Sequence, residues 1–472
     1  MRFSINHTHP TIRIQKIELN NFKCVSHGEI EIKHGRKKKS QGVSSNILGI
    51  YGQNGSGKSA VIEALYILKA AMSGNHVPTR YSECIASGAE YATLAFTFDL
   101  HYSSPNDFNR TVVYSFKISA VPNENKDDSD RPKNISSLYS TKVKIYDETI
   151  SASGFFNSKN QKMQEILTTD GNHYPIGPVR KITEYVGNQK DTAIIDLEVN
   201  KRTASNNSCS FIFQSETLDL FSEKSNPSDY VRLLFDLNFY ANNYLHVINT
   251  RTSGMGTATE IPFNTRLGTL VLNFYTANRM QQKIFDDLDY FIAKINLVLP
   301  ELISNLRIEL KHEETVLNGK KAQEVKLYTR RNDTLIPLRD ESAGIIKMIS
   351  ILSLIIASYN DESISVAIDE LDAGIYEYIL GEILRGMETH GKGQFIFTSH
   401  NLRPLEVLKK EDIVFTTSSP DNRYLRLKGV GQSNNLRNVY FREILSSTQT
   451  EQLYSASRQE QIVEAFISAE DD

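Results

Sequence analysis

One eight-residue segment near the N-terminus constrains the fold more than any other part of this sequence. Residues 52–59 read GQNGSGKS and satisfy the pattern G-x-x-x-x-G-K-[S/T]. An apolar run at 46–51 precedes the segment and predicts a strand, and residues 59–71 follow it with apolar side chains at helical spacing. A glycine-rich loop between a strand and a helix directs backbone N–H groups toward phosphate oxygens. The sequence therefore predicts a phosphate-binding loop in an α/β fold.

The residue types in this loop fit that chemistry. The glycines allow the tight turn, Lys58 can reach the β and γ phosphates, and the hydroxyl of Ser59 is a candidate ligand for Mg²⁺. The alternative is a glycine-rich turn that ends in Lys-Ser by chance, but the flanking strand and helix argue against it. The predicted nucleotide-binding residues are Gly52, Asn54, Gly55, Ser56, Gly57, Lys58 and Ser59.

A second candidate segment lies far downstream at 365–370. Its short apolar run ends in two carboxylates, Asp369 and Glu370. A buried parallel strand delivers such groups to its carboxyl edge, where the ligands of parallel sheets bind. Asp369 would then hold Mg²⁺, directly or through water, and Glu370 would act as the general base on an attacking water. The alternative is a strand that meets a solvated turn.

A third segment, 394–401, reads QFIFTSHN and predicts another buried strand with a polar end. His400 is the candidate sensor of the γ-phosphate. The alternative is a capping role for this cluster, because Ser399 or Asn401 could cap a short helix at 404–408. The two interpretations are compatible.

A fourth segment, 340–347, precedes a long apolar helix predicted at 345–359. Ser342 and Gly344 at its start offer a hydroxyl and a position that allows close approach by another molecule. An ordinary helix cap explains the same residues about as well.

The order of these four segments resembles that of the ABC-type ATPase heads of the SMC, RecF and OLD-like AAA ATPase families. Residues 12–23, which end in Asn-Phe-Lys, look like the first strand and turn of such heads. The resemblance covers about 12–120 and 325–445. It implies an α/β head with a mixed-sheet core and an antiparallel β lobe, with ATP and Mg²⁺ as cofactors. It also implies hydrolysis of ATP to ADP and phosphate.

The resemblance also assigns roles to individual residues. Ser342 and Gly344 match the signature motif that contacts the nucleotide of the opposite subunit. Asp372 matches the start of the D-loop, and His400 matches the switch histidine. The segment Ser-Ala-Gly-Ile-Ile-Lys replaces the Gly-Gly-Gln run of transporters, which argues against a transporter subunit. The resemblance implies a homodimer, or a higher homo-oligomer, that closes through ATP.

The chain is long enough, at 472 residues, for two or three domains with sizeable cores. A helix-spaced apolar stripe over 270–299 is assigned to core packing, with a partner-docking face as the alternative. Without sustained heptads, we expect no long coiled coil. The predicted regions are 1–150 (N-terminal half of the head, with the phosphate-binding loop and antiparallel strands at 91–100, 111–120 and 141–150), 151–322 (an inserted, mainly helical region) and 323–472 (C-terminal half of the head).

The amino-acid composition limits the possible binding partners of the protein and its possible cellular location. A net charge of −3 excludes a general nucleic-acid coat, so any contact with DNA or RNA must be local. The basic run at 34–39 is the candidate patch, and a solvated hairpin loop is the favoured alternative. Three cysteines without metal-ligand spacing, together with no apolar leader in residues 1–10, predict a cytoplasmic protein without membrane contact.

The sequence leaves the biological role open between three classes. Segment 401–472 is too short for a fused Toprim nuclease, so the chain resembles stand-alone ATPase subunits of bacterial anti-phage systems. Such a subunit would control a separate effector, either a nuclease or a toxin. The alternatives are a RecF-like repair ATPase that clamps DNA and a scaffold that uses ATP structurally. Glu370 and His400 count against the scaffold.

Overall fold

The computed structural model describes most of the chain. The basic run predicted at 34–39 lies outside the described part. The described residues are 9–32, 46–103, 108–123, 141–156, 158–171, 175–187, 190–222, 227–249, 260–265, 268–427, 435–446, 453 and 459–469.

The described residues form both strands and helices, numbered here in chain order. The strands are β1 (Thr11–Phe22), β2 (Val25–Glu31), β3 (Asn46–Tyr51), β4 (Ala92–Tyr102), β5 (Phe108–Pro122), β6 (Thr141–Phe156), β7 (Lys159–Thr168), β8 (Leu245–Ile248), β9 (Glu260–Thr265), β10 (Gly268–Asn273), β11 (Asn278–Gln281), β12 (Leu306–Leu317), β13 (Lys320–Arg331), β14 (Thr334–Pro337), β15 (Ser365–Ile368), β16 (Gln394–Thr398), β17 (Ile413–Thr416) and β18 (Tyr424–Leu425). The helices are α1 (Lys58–Met72), α2 (Ile182–Val186), α3 (Lys190–Asn206), α4 (Ser215–Ser222), α5 (Asp229–Asn243), α6 (Gln282–Leu302), α7 (Ala343–Asn360), α8 (Glu377–His390), α9 (Pro404–Val407), α10 (Leu436–Ser446) and α11 (Gln459–Ser468).

The central sheet brings together strands that are far apart in sequence. Its order is β18-β17-β3-β16-β15-β8, and every pair in it is parallel except β17 with β18. Strands β3, β15 and β16 are buried along their whole length, as expected for apolar runs covered on both faces. The strands predicted at 46–51, 365–370 and 394–401 are therefore confirmed.

A second six-stranded sheet forms the β lobe. Its order is β2-β1-β4-β5-β6-β7, and all of its pairs are antiparallel. Side chains of β4 alternate strictly between buried and half-buried positions, because only one face of an antiparallel sheet packs on the core. The predicted antiparallel lobe is confirmed by these strands.

The central sheet separates two hydrophobic cores. In β3, Leu48 and Ile50 face the first core, which includes α1 and the β lobe. The alternate residues Ile47 and Tyr51 face the second core, which includes α7 and α8. This period-two division places a helix layer on each face of the sheet, with α1 on one side and α7 on the other. The mixed α/β class is confirmed.

The described residues of the predicted inserted region, 151–322, form both helices and strands. Strand β8 lies within it and joins the central sheet beside β15. The apolar stripe predicted at 270–299 is only in part helical, because α6 begins at Gln282 and the preceding residues form β10 and β11. Leu272 and Phe274 are buried at a spacing of two, which is a strand pattern that the longer helical window concealed.

Helix α6 buries its apolar face in the second core, as the core-packing interpretation predicts. With 21 residues it is the longest helix of the described part, which holds no long coiled coil. Helix α7 is apolar and long enough to cross a membrane by length and composition, but 56 % of it is buried inside the protein, as in a core helix.

Candidate functional site

The loop between β3 and α1 has the backbone that its glycines predict. Gly55 and Gly57 adopt φ values of +76° and +96°, which side-chain-bearing residues rarely tolerate. A Cβ at Gly52 would lie 1.7 Å from Thr416 Oγ1, so only glycine fits there. Helix α1 begins at Lys58, and no side chain of the described residues caps it. The N–H groups of its first turn are therefore available to an anion.

Lys58 lies folded over its own loop. Its Nζ donates hydrogen bonds to the carbonyl oxygens of Gly52 at 2.8 Å and Gln53 at 2.9 Å. Burial lowers the pKa of Lys58 to about 8, an effect that the carboxylates after β15 partly oppose. This ammonium is positioned at the loop, and a phosphate would offset its loss of hydration.

Asp369 joins the end of β15 to the start of α1. Its Oδ1 accepts a hydrogen bond from Ser59 Oγ at 3.1 Å and another from Thr398 Oγ1 at 2.6 Å. The carboxylate is almost fully buried, with 3 % of the residue exposed. A carboxylate beside a hydroxyl supplies the oxygen ligands that Mg²⁺ prefers, and Mg²⁺ commonly completes its shell with water and phosphate. The two residues predicted to bind the metal therefore fit it.

Glu370 has a left-handed backbone, with φ at +48°. Such a conformation costs a residue with a side chain roughly 1–2 kcal/mol, so surrounding contacts must hold it. The N–H of Glu370 donates to Thr398 Oγ1 at 2.7 Å, and its carbonyl oxygen accepts from the N–H of Ala373 at 3.0 Å and from Lys347 Nζ. The predicted base therefore sits next to Asp369 in a backbone geometry fixed by three hydrogen bonds.

Asp372 connects two loops at this edge of the sheet. Its carboxylate accepts hydrogen bonds from the backbone N–H of His400 at 3.2 Å and of Asn401 at 3.0 Å. The predicted D-loop residue thus holds the segment that carries the predicted switch histidine.

His400 lies on the exposed rim of the site. Partial burial of its ring, followed by the positive charge of Lys58, lowers the pKa of His400 and so favours the neutral imidazole. The N-cap of α9 is Arg403, without a side-chain cap hydrogen bond, so the predicted cap by Ser399 or Asn401 does not form. Asn401 Oδ1 instead accepts from the N–H of Arg403 at 2.8 Å, just before the helix. The role of His400 as a γ-phosphate sensor stays a prediction.

Ser342 and Gly344 begin α7 beside this edge. Ser342 is exposed, and its Oγ accepts from the N–H of Ile345 at 3.3 Å, which confirms the helix cap as the alternative role of this residue. A Cβ at Gly344 would lie 2.1 Å from the carbonyl oxygen of Gly374, so the close approach that glycine allows here is made by the same chain. Contact of either residue with a nucleotide of a second subunit stays a prediction.

Further residues of the site were not predicted from the sequence. Thr398 binds both Asp369 and Glu370, Thr416 Oγ1 lies 2.5 Å from Ser56 Oγ, and Tyr424 OH donates to the carbonyl oxygen of Gly57 at 2.8 Å. Thr398 and Thr416 are the last residues of β16 and β17. The sequence signal for these two threonines was a polar residue at the end of an apolar strand that lies beside β3.

Comparison with known proteins assigns the class. The model of a family described as an AAA domain matches residues 16–251, which is half of the chain and includes the phosphate-binding loop. The protein belongs to this AAA domain family. The predicted resemblance to AAA ATPase heads is confirmed, and ATP is the nucleotide that membership of this family implies.

Several solved structures are similar to the chain over most of its length. An Smc head domain derived from Pyrococcus furiosus, with an extended coiled coil and bound to the C-terminal domain of ScpA, has a TM-score of 0.40 and 12 % identity, covering 88 % of this chain and 96 % of that chain. The SMC head domain from Thermotoga maritima has a TM-score of 0.33 and 12 % identity, covering 88 % and 99 %. The recombination mediator protein RecF with ATP has a TM-score of 0.34 and 12 % identity, covering 84 % and 94 %. No curated protein matches the sequence significantly.

Proposed function

We propose that the protein is a Mg²⁺-dependent ATPase that hydrolyses ATP to ADP and phosphate. The observation that carries the proposal is the meeting of Ser59 and Asp369, whose side-chain oxygens lie 3.1 Å apart beside the buried ammonium of Lys58. This arrangement places a lysine, a hydroxyl and a carboxylate at a helix N-terminus, which is the set of groups that binds a Mg²⁺-triphosphate.

Each residue of the site has a separate role in the proposed reaction. The loop N–H groups and Lys58 bind the phosphates, while Ser59 and Asp369 hold Mg²⁺. Glu370 accepts a proton from the attacking water, and the ring of His400 contacts the γ-phosphate. Mg²⁺ neutralises charge on the phosphate oxygens when it is bound.

We further propose that two copies close around ATP. Ser342 and His400 are both exposed at the edge of the sheet that carries the phosphate-binding loop, although the proposed roles of both require contact with a nucleotide. A second copy facing this edge would supply Ser342 to the nucleotide of its partner and bury the site. Asp372 would lie in the same interface as part of the D-loop.

Closure of the dimer would control a separate effector, which we propose to be a nuclease or a toxin of a bacterial anti-phage system in the cytoplasm. The exposed apolar face of helix α11 favours a protein partner. Its central residue, Phe466, is 74 % exposed. Four apolar side chains form the face: Ile462, Val463, Phe466 and Ile467. Exposed apolar faces of this kind are characteristic of docking surfaces.

A RecF-like repair ATPase that clamps DNA is the second candidate. The observation that favours it is the basic run at 34–39, which could contact phosphates. Duplex DNA should then stimulate ATP hydrolysis, and this stimulation should weaken steeply as the salt concentration rises.

Phosphate release by the purified protein tests the ATPase proposal. We expect turnover with ATP and Mg²⁺, none when EDTA removes the metal, and none in Lys58→Ala with Mg²⁺ present. Lys69→Ala is the matched control, because Lys69 lies on the same helix roughly 16 Å from Lys58 along its axis. Failure of the parental protein to release phosphate, or equal loss of turnover in both variants, would contradict the proposal.

A further inference from the structure

Helix α7, which begins at the signature residues, is attached to the segment that follows β15 at two places. The first attachment is between two glycines. A Cβ on Gly344 would lie 2.1 Å from the carbonyl oxygen of Gly374, and a Cβ on Gly374 would lie 2.8 Å from the Cα of Gly344. The two backbones are therefore in direct contact, with no room for a side chain at either position.

The second attachment is made by Lys347, one turn further along α7. This residue is 3 % exposed, and its Nζ donates a hydrogen bond to the carbonyl oxygen of Glu370. Burial lowers the pKa of Lys347, while the negative charges of Asp372, Glu370 and Asp369 oppose that effect. An ammonium is costly to bury without an ionic or polar partner. The acidic segment after β15 supplies that partner.

If Lys347 only needed a partner for its buried ammonium, any carbonyl oxygen within reach could accept its hydrogen bond. The bond instead ends on the residue whose carboxylate is the proposed base and whose φ is +48°. Lys347 is the charged member of the three groups that hold this backbone, because Thr398 and Ala373 contribute an uncharged hydroxyl and an N–H. The rotations φ and ψ of Glu370 set how its carbonyl group and its Cα–Cβ bond are oriented relative to each other, so a bond that holds the carbonyl restrains the base of the side chain as well.

We propose that Lys347 is a positioning residue that aims the carboxylate of Glu370 at the attacking water. This inference rests on the proposed ATPase function of the site. Lys347 also connects the signature helix to the base of the same subunit. A shift of Ser342 and Gly344 on contact with a second subunit's nucleotide would therefore move Glu370 through the two attachments of α7.

Lys347→Met tests the proposal, because methionine keeps most of the stem and removes the ammonium. We expect kcat to fall about tenfold, since a base misplaced by a fraction of an ångström loses rate steeply. The Kd for ATP should stay within about threefold of the parental value, because the hydrogen bond of Lys347 ends on Glu370, not on the phosphate-binding loop. Lys347→Arg should recover much of the lost kcat by restoring a cationic donor.

A double-variant cycle separates positioning from general damage to the fold. If Lys347 acts only through Glu370, then adding Lys347→Met to Glu370→Gln should lower the single-turnover rate by less than about twofold. Equal tenfold losses in both backgrounds would assign Lys347 to a structural role and overturn the proposal. If thermal melting shows that Lys347→Met is unfolded, Lys347→Gln enters the same cycle with the same expectation, because it also lacks the charge.

The outcomes distinguish this proposal from the one on which it rests. A parental protein that turns over ATP with Mg²⁺, together with a Lys347→Met variant of unchanged kcat, overturns the positioning role alone. A parental protein without Mg²⁺-dependent turnover overturns the ATPase function and the positioning role together.

Discussion

Ser59 Oγ lies 3.1 Å from Asp369 Oδ1, although 310 positions separate the two residues in the chain. The contact forms because β3, β16 and β15 are adjacent parallel strands, so their carboxyl ends meet at one edge of the sheet. The phosphate-binding loop follows the first of these strands and the acidic pair follows the last. This edge gathers the groups that an ATPase needs.

Replacing Lys58 should abolish tight ATP binding with little effect on the fold. The buried ammonium already loses hydration in the folded protein, and Lys58→Ala removes that cost together with the contacts to phosphate. Charge-assisted contacts of this kind contribute about 3 kcal/mol, which corresponds to an affinity loss on the order of a hundredfold or more. Isothermal titration with ATP measures the loss, and thermal melting checks the fold. Unchanged affinity would refute the assignment of the loop.

The affinity for ATP should fall as the pH rises above about 8. Lys58 has a folded-state pKa of about 8, below the ordinary value of 10.5, so the free protein loses this charge above pH 8. Binding must then take up a proton, and the affinity should drop by up to tenfold per pH unit until the pKa of the bound state is reached. Lys69→Ala is a sharp control, because burial lowers the pKa of Lys69 to about 8 as well. A flat parental profile between pH 7 and pH 9.5 would contradict the role of Lys58.

Gly344→Ala should destabilise the isolated subunit. The added methyl group would lie 2.1 Å from the carbonyl oxygen of Gly374, and relieving such an overlap costs about 1–3 kcal/mol. The midpoint of thermal unfolding without nucleotide should therefore fall. Gly386→Ala in α8 is the matched control, since its Cβ meets nothing within 4 Å and should raise stability by roughly 0.5–1 kcal/mol. If Gly344 matters only to a second subunit's nucleotide, the unfolding midpoint of Gly344→Ala will equal that of the parental protein.

Much of this site could be predicted from the sequence, because buried parallel strands have runs of apolar residues and the polar residues that follow them lie at one edge of the sheet. That rule located Asp369, Glu370 and His400, while the pattern G-x-x-x-x-G-K-[S/T] located the loop at 52–59. Contacts between segments far apart in sequence could not be predicted. The approach of Gly344 to Gly374 and the bond from Lys347 to Glu370 depend on how α7 lies against the sheet, which no periodicity specifies.

The start of α6 shows that the period of apolar residues can also mislead within one segment. Buried residues at 272 and 274 repeat with the period of a strand, and those from 285 onward repeat with the period of a helix. A single window over both regions averages the two periods and places the helix too early. Strand β8 was missed because its four residues, which directly follow α5, carry too little pattern to be recognised.

Ser342→Arg should leave ATP binding by the isolated subunit intact and block turnover, because the bulky cation obstructs only the meeting of two copies. Mixing this variant with Lys58→Ala should restore part of the ATPase activity that neither variant shows alone. In a two-fold dimer, one composite site would then carry both changes and the other would carry neither. Normal hydrolysis by Ser342→Arg on its own would show that the start of α7 is a capped helix and no more.

The rate of ATP hydrolysis by Glu370→Gln, measured with Mg²⁺ beside the Kd for ATP, tests the central claim most directly. The amide keeps the size of the side chain but cannot accept the proton, while Asp369 and Ser59 still face the metal position. The account predicts a turnover lower by on the order of a hundredfold or more, an almost unchanged Kd, and a dimer that persists with ATP. Hydrolysis at the parental rate would show that Glu370 is not the base and would contradict the account.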